Sequence, residues 1–387
     1  MGRRNSNPMT TPLLAKITSL STKKQEIALN LNQARVSLNE GNFDLAAEYA
    51  NFVLTSRKAS KNSTLTAELL LVQTRARQGL FTGLLDQLET LFKKISKSNA
   101  ALQASVGNEI LRVCHRSGNL GIGAMRGEEF LRDCAPNWPE DEVVELLCQL
   151  SSCHFHRGDS ARAEEVVSEA LKLIEGSGSA KAKTQTLWQS SLLTMNKGDL
   201  VLALQLVSNA KHWAQVAGLQ HVVPILNNNA ALIMLDLPNS DLSRVHKLAE
   251  SAYLEMASQN NPGGAAYACT ILSEVALRQE DFAIALMYAK KGLAELPLEI
   301  PGPKTALLVQ IAKVLARMGI YDDAMFGLFD AVEHMEQLEP SRELAQQWGD
   351  IARVFVEVGL TERGVYAYEK AIQMSGLLRE EHDSKVN

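Results

Sequence analysis

The sequence predicts an all-α protein, a right-handed α-solenoid of about nine antiparallel helix pairs with a period of about 40 residues. Three observations predict it. A turn signal recurs at nearly constant spacing. Small and apolar residues follow each signal at helical offsets. The composition is rich in Ala and Leu, with 5% aromatic residues and 11 prolines, which favours helices over the aromatic and β-branched alternation of a sandwich or barrel.

The copies run in order as follows. Gly41-Asn42-Phe43 precedes Ala46, Ala50 and Val53, and Gly79-Leu80-Phe81 precedes Leu84, Leu88 and Leu91. Gly118-Asn119-Leu120 leads to Gly123, Gly127 and Phe130, and Gly158-Asp159-Ser160 to Ala163, Val167 and Ala170. Gly198-Asp199-Leu200 is followed by Ala203, Val207 and Ala210. The sixth copy is degenerate: a turn centred on Ser240 precedes Leu242, Val245, Ala249 and Ala252. Glu280-Asp281-Phe282 then leads to Ala285, Ala289 and Gly292, Gly319-Ile320-Tyr321 to Ala324, Leu328 and Ala331, and Gly359-Leu360-Thr361 to Gly364, Tyr368 and Ala371. The turns fall at 41, 79, 118, 158, 198, 240, 280, 319 and 359, so every gap lies between 38 and 42.

The unit has a physical reading. Glycine adopts positive φ and so ends one helix and reverses the chain. The Asp or Asn after it caps the next helix. The small residues share one helical face and let the two helices approach closely. Each pair leaves an apolar face exposed, so copies must stack.

This motif resembles the tetratricopeptide repeat, with Trp348, Ala352, Gly359, Tyr368 and Ala371 of the last copy in matching places. The unit is about 40 residues where the usual repeat is about 34. The second half, through Asn227-Asn228-Asn229-Ala230-Ala231-Leu232 and Tyr366-Ala367-Tyr368-Glu369-Lys370-Ala371, is similar to the sensor region of actinobacterial helix-turn-helix regulators. Those regulators begin with a DNA-binding domain. Here about 24 residues precede the first repeat, too few for one, so direct nucleic-acid binding is not expected. The expected organisation is a basic, disordered segment over 1–24, a repeat domain over 25–376 and a charged tail over 377–387.

Composition narrows the class. The chain is 46% hydrophobic and 21% charged, the balance of a folded protein. Its richest apolar run, Ala230 to Leu235, stops at Asp236, far short of the roughly 20 residues a membrane span needs. The N-terminus lacks the apolar core of a signal peptide. Five irregularly spaced cysteines, Cys114, Cys134, Cys148, Cys153 and Cys269, argue against a disulfide framework and for a reducing compartment; the expected location is the cytoplasm. Residues 1–100 hold 14 Lys/Arg and 7 Asp/Glu in a chain of net charge −5, so the charge is asymmetric.

The motifs of catalysis are missing from the sequence. There is no G-x-x-x-x-G-K-[ST] phosphate loop, no H-E-x-x-H and no G-x-S-x-G. The glycines between Gly118 and Gly127 fall on a repeat turn and second helix rather than after a strand. Cys148, Cys153, His154 and His156, with Cys114 and His115 a repeat earlier, lack metal-ligand spacing and are read as packing residues. No cofactor, no metal and no enzymatic activity are expected.

The expected partner is a protein or peptide held in a concave groove lined by the first helices. Inward positions lie about 13, 10, 6 and 3 residues before each turn in this architecture. They give Leu31, Arg35 and Gln73; Asn108, Arg112 and His115; Cys148, Ser152 and Phe155; Gln185, Trp188 and Met195; Asn227 with Asn228; Tyr267, Thr270 and Glu274; then Lys313 and Arg353. Amides pair with peptide backbone, Arg and Lys with carboxylates, and aromatic rings form pockets. Asn227-Asn228 is the strongest candidate, since mid-helix amides have modest helix propensity; a helix-stabilising hydrogen bond is the alternative role. Two functions follow: a non-catalytic scaffold with a regulatory role, or a ligand-sensing transcriptional regulator acting through a partner.

Overall fold

The computed structural model describes residues 10–96, 98–176, 178–297 and 301–375. Eighteen α-helices and one short 3-10 turn account for these residues, with no strand among them. The chain divides into two compact units, residues 1–75 and 76–387, where the sequence predicts a single repeat domain.

In the first unit, α1 (Thr10–Asn39) pairs with α2 (Phe43–Thr55), and α3 (Lys61–Arg77) begins. Its core joins Ala34, Leu38, Phe43, Ala46, Ala50 and Val53 to Ala67 and Leu70. Helix α1 starts at Thr10, so residues 10–24 of the segment expected to be disordered are helical. The helical spacing of Leu13, Leu14, Ile17 and Leu20, with Pro12 in the first turn where its missing N–H is harmless, accounts for it. Residues 1–9 and 377–387 lie outside the described residues.

The second unit continues the pairs. These are α4 (Leu84–Lys94); α5 (Ala100–Ser117) with α6 (Leu120–Asp133); α7 (Glu140–His156) with α8 (Ser160–Gly176); and α9 (Ala180–Asn196) with α10 (Leu200–Val216). Then come α11 (Val223–Asp236) with α12 (Leu242–Ser258), α13 (Pro262–Arg278) with α14 (Phe282–Ala294), α15 (Pro301–Arg317) with α16 (Tyr321–Met335), and α17 (Arg342–Glu357) with α18 (Thr361–Met374).

The glycine turns close and the aspartates cap as the sequence predicts, whereas Asn42 and Asn119 stand at their N-caps without a side-chain capping bond. At the end of α7, Gly158 has φ 91° and its N–H bonds Phe155 O at 3.0 Å, while Asp159 N–H bonds His154 O at 2.9 Å. That pair of bonds is a Schellman closure. Asp199, Asp241 and Asp281 then cap the following helices, accepting from Leu202, Arg244 and Ile284 N–H at 3.0–3.2 Å. In the degenerate sixth copy the left-handed residue is Asn239 (φ 57°), one place before the expected Ser240. Asparagine tolerates this region because its short amide bonds locally.

Small residues bring the paired helices together. A Cβ on Gly127 would lie 2.6 Å from Leu150 Cδ1 and 3.0 Å from Leu111 Cδ2, so a larger residue there would force the two leucine side chains to shift. Ser151 donates to Ala163 O at 2.8 Å, and one hundred and twenty-two positions on, Ser273 donates to Ala285 O at 2.7 Å. The same bond thus stitches first helix to second in two copies. Trp348 is wholly buried at the centre of the last core, among Leu328, Met335, Ile351 and Phe355.

Candidate ligand-binding groove

Helices α5, α7 and α9 pack side by side, as do α11 and α13, and α13, α15 and α17. First helices therefore form one face of the second unit. The start of α17 also packs on α7, five pairs earlier in the chain, so this face curves back on itself. Tyr267 illustrates the result. It keeps 36% of its surface open, yet burial and the Glu343 carboxylate push its hydroxyl pKa well up. A residue surrounded by protein but reachable by solvent is what a groove wall looks like.

The structure brings many of the predicted residues into two polar clusters. The first spans α5, α7 and α9. Asn108 Nδ2 donates to Glu142 O at 3.1 Å and to Glu142 Oε2 at 2.9 Å. Arg112 pairs with Glu109 on its own helix and with Glu145 on α7, and Lys181 Nζ reaches Glu145 at 2.7 Å. Burial acts to raise the Glu145 pKa, but Arg112 and Lys181 outweigh it and hold the carboxylate down to about 2. Gln185 also hydrogen-bonds Glu145. The second cluster lies on α13, α15 and α17. Glu274 binds Lys313 at 2.9 Å, Arg278 at 3.1 Å and Gln310 at 3.2 Å. Tyr267 donates to Glu343 at 2.6 Å.

Other predicted residues sit apart. Asn227 and Asn228 are buried on α11, outside both clusters. Arg353 is 68% exposed and pairs with Asp350 on its own helix. Leu31, Arg35 and Gln73 belong to the first unit.

Several groups have no hydrogen-bond partner within the protein although their atoms are buried. Among them are Asn108 Oδ1, Gln185 Oε1, Trp188 Nε1 and Asn228 Oδ1, spread over α5, α9 and α11. Native interiors leave few such groups unmade, and each costs about 1–3 kcal/mol if nothing fills it.

Sequence reasoning missed Glu109, Glu142, Glu145, Lys181, Arg116, His156, Arg342 and Glu343. Glu145 lies 13 residues before its turn glycine, one of the inward offsets, so the register could have found it. Arg342 had no such signal.

The cysteine and histidine residues form no group of metal-ligating geometry among the described residues. His154 is held by Glu128 at 3.0 Å, the His115 and His156 rings stack with centroids 4.7 Å apart, and burial pushes the Cys114 thiol up to about 12. No described helix is long and apolar enough to cross a membrane.

Solved structures place this arrangement in a class. A Rap protein complexed with competence and sporulation factor is similar over 92% of this chain and 99% of its own, with a TM-score of 0.63 at 14% identity. A signal transduction ATPase with a tetratricopeptide repeat sensor, from Pyrococcus horikoshii, matches over 88% of this chain and 54% of its own (TM-score 0.52, 13% identity). The human IFIT1 dimer with PPP-AAAA matches over 93% and 86% (TM-score 0.52, 13% identity). The chain is thus a tetratricopeptide-like helical repeat protein. No protein-family signature matches the sequence, and no curated protein matches it by sequence.

Proposed function

We propose that the protein is a non-catalytic, regulatory scaffold that captures a peptide or protein segment along the first-helix face of its second unit. The observation that carries this reading is the row of buried, unpartnered amide and indole groups on α5, α9 and α11. An extended peptide presents donors and acceptors every few ångströms and would satisfy such groups once side-chain rotations turn them to the groove surface. The similar structures hold different kinds of ligand, so the choice rests on the site itself. Glu109, Glu142 and Glu145 alternate with Arg112 and Lys181 in the same region, a mixture of charge signs that matches a peptide rather than a uniform polyanion such as a nucleic acid.

The test is retention of synthetic hexapeptides, randomised at every position, by wild type and by an Asn108→Ala/Asn228→Ala double variant of unchanged helicity. Wild type should retain a defined subset, and the variant should lose it by about tenfold or more, the cost of one or two ligand hydrogen bonds. Equal retention by both proteins would move the site off this face. No retention by either would reject the peptide reading.

A further inference from the structure

Near the ends of α5 and α7 the groove changes character. His115 and Arg116 occupy the last turn of α5, and His156 ends α7. The His115 and His156 rings lie 4.7 Å apart, and the Phe155 ring is 5.2 Å from His156. Arg342, the first residue of α17, reaches into this corner. Its guanidinium stacks over Phe155 at 4.9 Å, donates to Ser160 Oγ at 2.7 Å and bonds Asn196.

In this corner the guanidinium groups of Arg116 and Arg342 make no direct ion pair, and Glu109 acts on Arg116 only from beyond contact distance. Among the described residues no carboxylate lies within ion-pairing distance of Arg116 or Arg342. Arg342 Nε is buried and has no hydrogen-bond partner. Glu339, on the same turn as Arg342, is directed instead at the Gly121 N–H, 3.4 Å away. Arg116 is occupied only in part, over the Phe81 ring at 5.6 Å. Burial and the neighbouring cations hold His115 near 4 and His156 near 3, so both imidazoles stay neutral and available as hydrogen-bond donors. Buried guanidinium groups ordinarily have an anionic partner, because desolvation penalises an unpaired charge. The contrast with Arg112 is direct: it sits one helical turn before Arg116 and is paired twice over.

We propose that Arg342, with His115, His156 and Arg116, forms a carboxylate-binding subsite that fixes the acidic end of the captured peptide. This deepens the groove reading and rests on it. A guanidinium and a carboxylate match in a planar, two-point contact, and the free Nε of Arg342 supplies one of those two points. Because Arg342 comes from α17 and the imidazoles from α5 and α7, an occupant would join two parts of the second unit that are far apart in sequence.

The carboxylate can be a peptide C-terminus or an acidic side chain, and the probes separate the two. The tightest peptide from the randomised hexapeptide mixture is resynthesised in three forms: with a free C-terminus, as the amide without Asp or Glu, and as the amide with one Asp or Glu. Affinities are measured by titration calorimetry on the full chain, with Arg342→Gln, Arg342→Lys and, as a control on an exposed arginine, Arg132→Gln. The expected result is a loss of about tenfold or more on removing every carboxylate, the same loss in Arg342→Gln, partial recovery in Arg342→Lys and no change in Arg132→Gln. Tight binding of the free acid alone assigns the C-terminal carboxylate; tight binding of both acidic forms assigns carboxylates generally. If the carboxylate-free amide binds wild type as tightly as the acid, the subsite is rejected while the groove reading survives. If the acid is preferred but Arg342→Gln binds it unchanged, the subsite lies elsewhere and the proposal fails. If no peptide is retained at all, both fall.

Discussion

Glu145 shows how one side chain holds several helices. Its carboxylate is 4% exposed and takes Arg112 from α5 and Lys181 from α9. Replacing it by Gln removes the charge shared by both cations. Fully buried pairs lose about 3–5 kcal/mol when one partner is deleted, but Arg112 is 32% exposed and Lys181 42%, so solvent screens part of the loss. We expect Glu145→Gln to lower unfolding stability by about 1–3 kcal/mol in urea denaturation. Glu145 and the two buried histidines set the response to acid. His115 and His156 have folded pKa values near 4 and 3, below the usual 6.5, so the unfolded chain binds more protons and stability falls as pH drops below about 6.5. Glu145, held near 2, adds stability that is complete above its unfolded pKa of about 4.3 and is lost as pH falls towards 2. Two successive losses are expected, and His156→Phe should flatten the first between pH 6.5 and 4 when stability is followed by urea midpoints.

At the scale of the helix pair, the repeated serine bond separates equivalent positions. Ser273 is fully buried and bonds Ala285 O, whereas Ser191, at the same place in the fifth copy, is fully buried with its hydroxyl unpartnered. Ser273→Ala should cost about 1 kcal/mol in thermal unfolding, and Ser191→Ala should be neutral or stabilising, because it removes a group already unsatisfied. The pairs themselves were legible in the sequence because what makes them is local: a turn residue, a cap and small residues within one helical repeat. The slip from Ser240 to Asn239 shows where that reading weakens, at the degenerate sixth copy, although the seventh keeps its register with Glu280 (φ 61°) in the glycine's place. The polar clusters were half legible. Asn108, Arg112 and Gln185 stand at regular offsets, but their partners on other helices lie 33 or more positions away, which periodicity does not connect. Arg353 obeyed the offset and still emerged exposed, since no further pair follows its helix among the described residues to cover that face.

For the second unit as a whole, the contact of α17 with α7 departs from the simplest repeat behaviour. Stacked repeats usually touch only their neighbours, so they unfold piecewise. Here Arg342 is bonded to Ser160 and Asn196, 182 and 146 positions earlier. Those bonds should make the later copies open together with the middle ones. A Ser160→Ala/Asn196→Ala variant is expected to exchange amide hydrogens faster in the first turns of α17, with little change in α12 or α14, as read by hydrogen exchange with mass spectrometry. Unchanged protection at α17 would show that apolar packing, centred on Trp348, is sufficient there.

The bond across that span carries a consequence for how such a chain can change over time. Open repeat arrays tolerate duplication or loss of a whole copy, because every junction is alike. An array whose seventeenth helix must land on its seventh cannot. Adding one pair between residues 160 and 342 would rotate and displace the landing point by a full step, carrying Arg342 away from Phe155. The fold acts as a ruler: copy number in that interval is set by a closure condition, while copies outside it are free to vary.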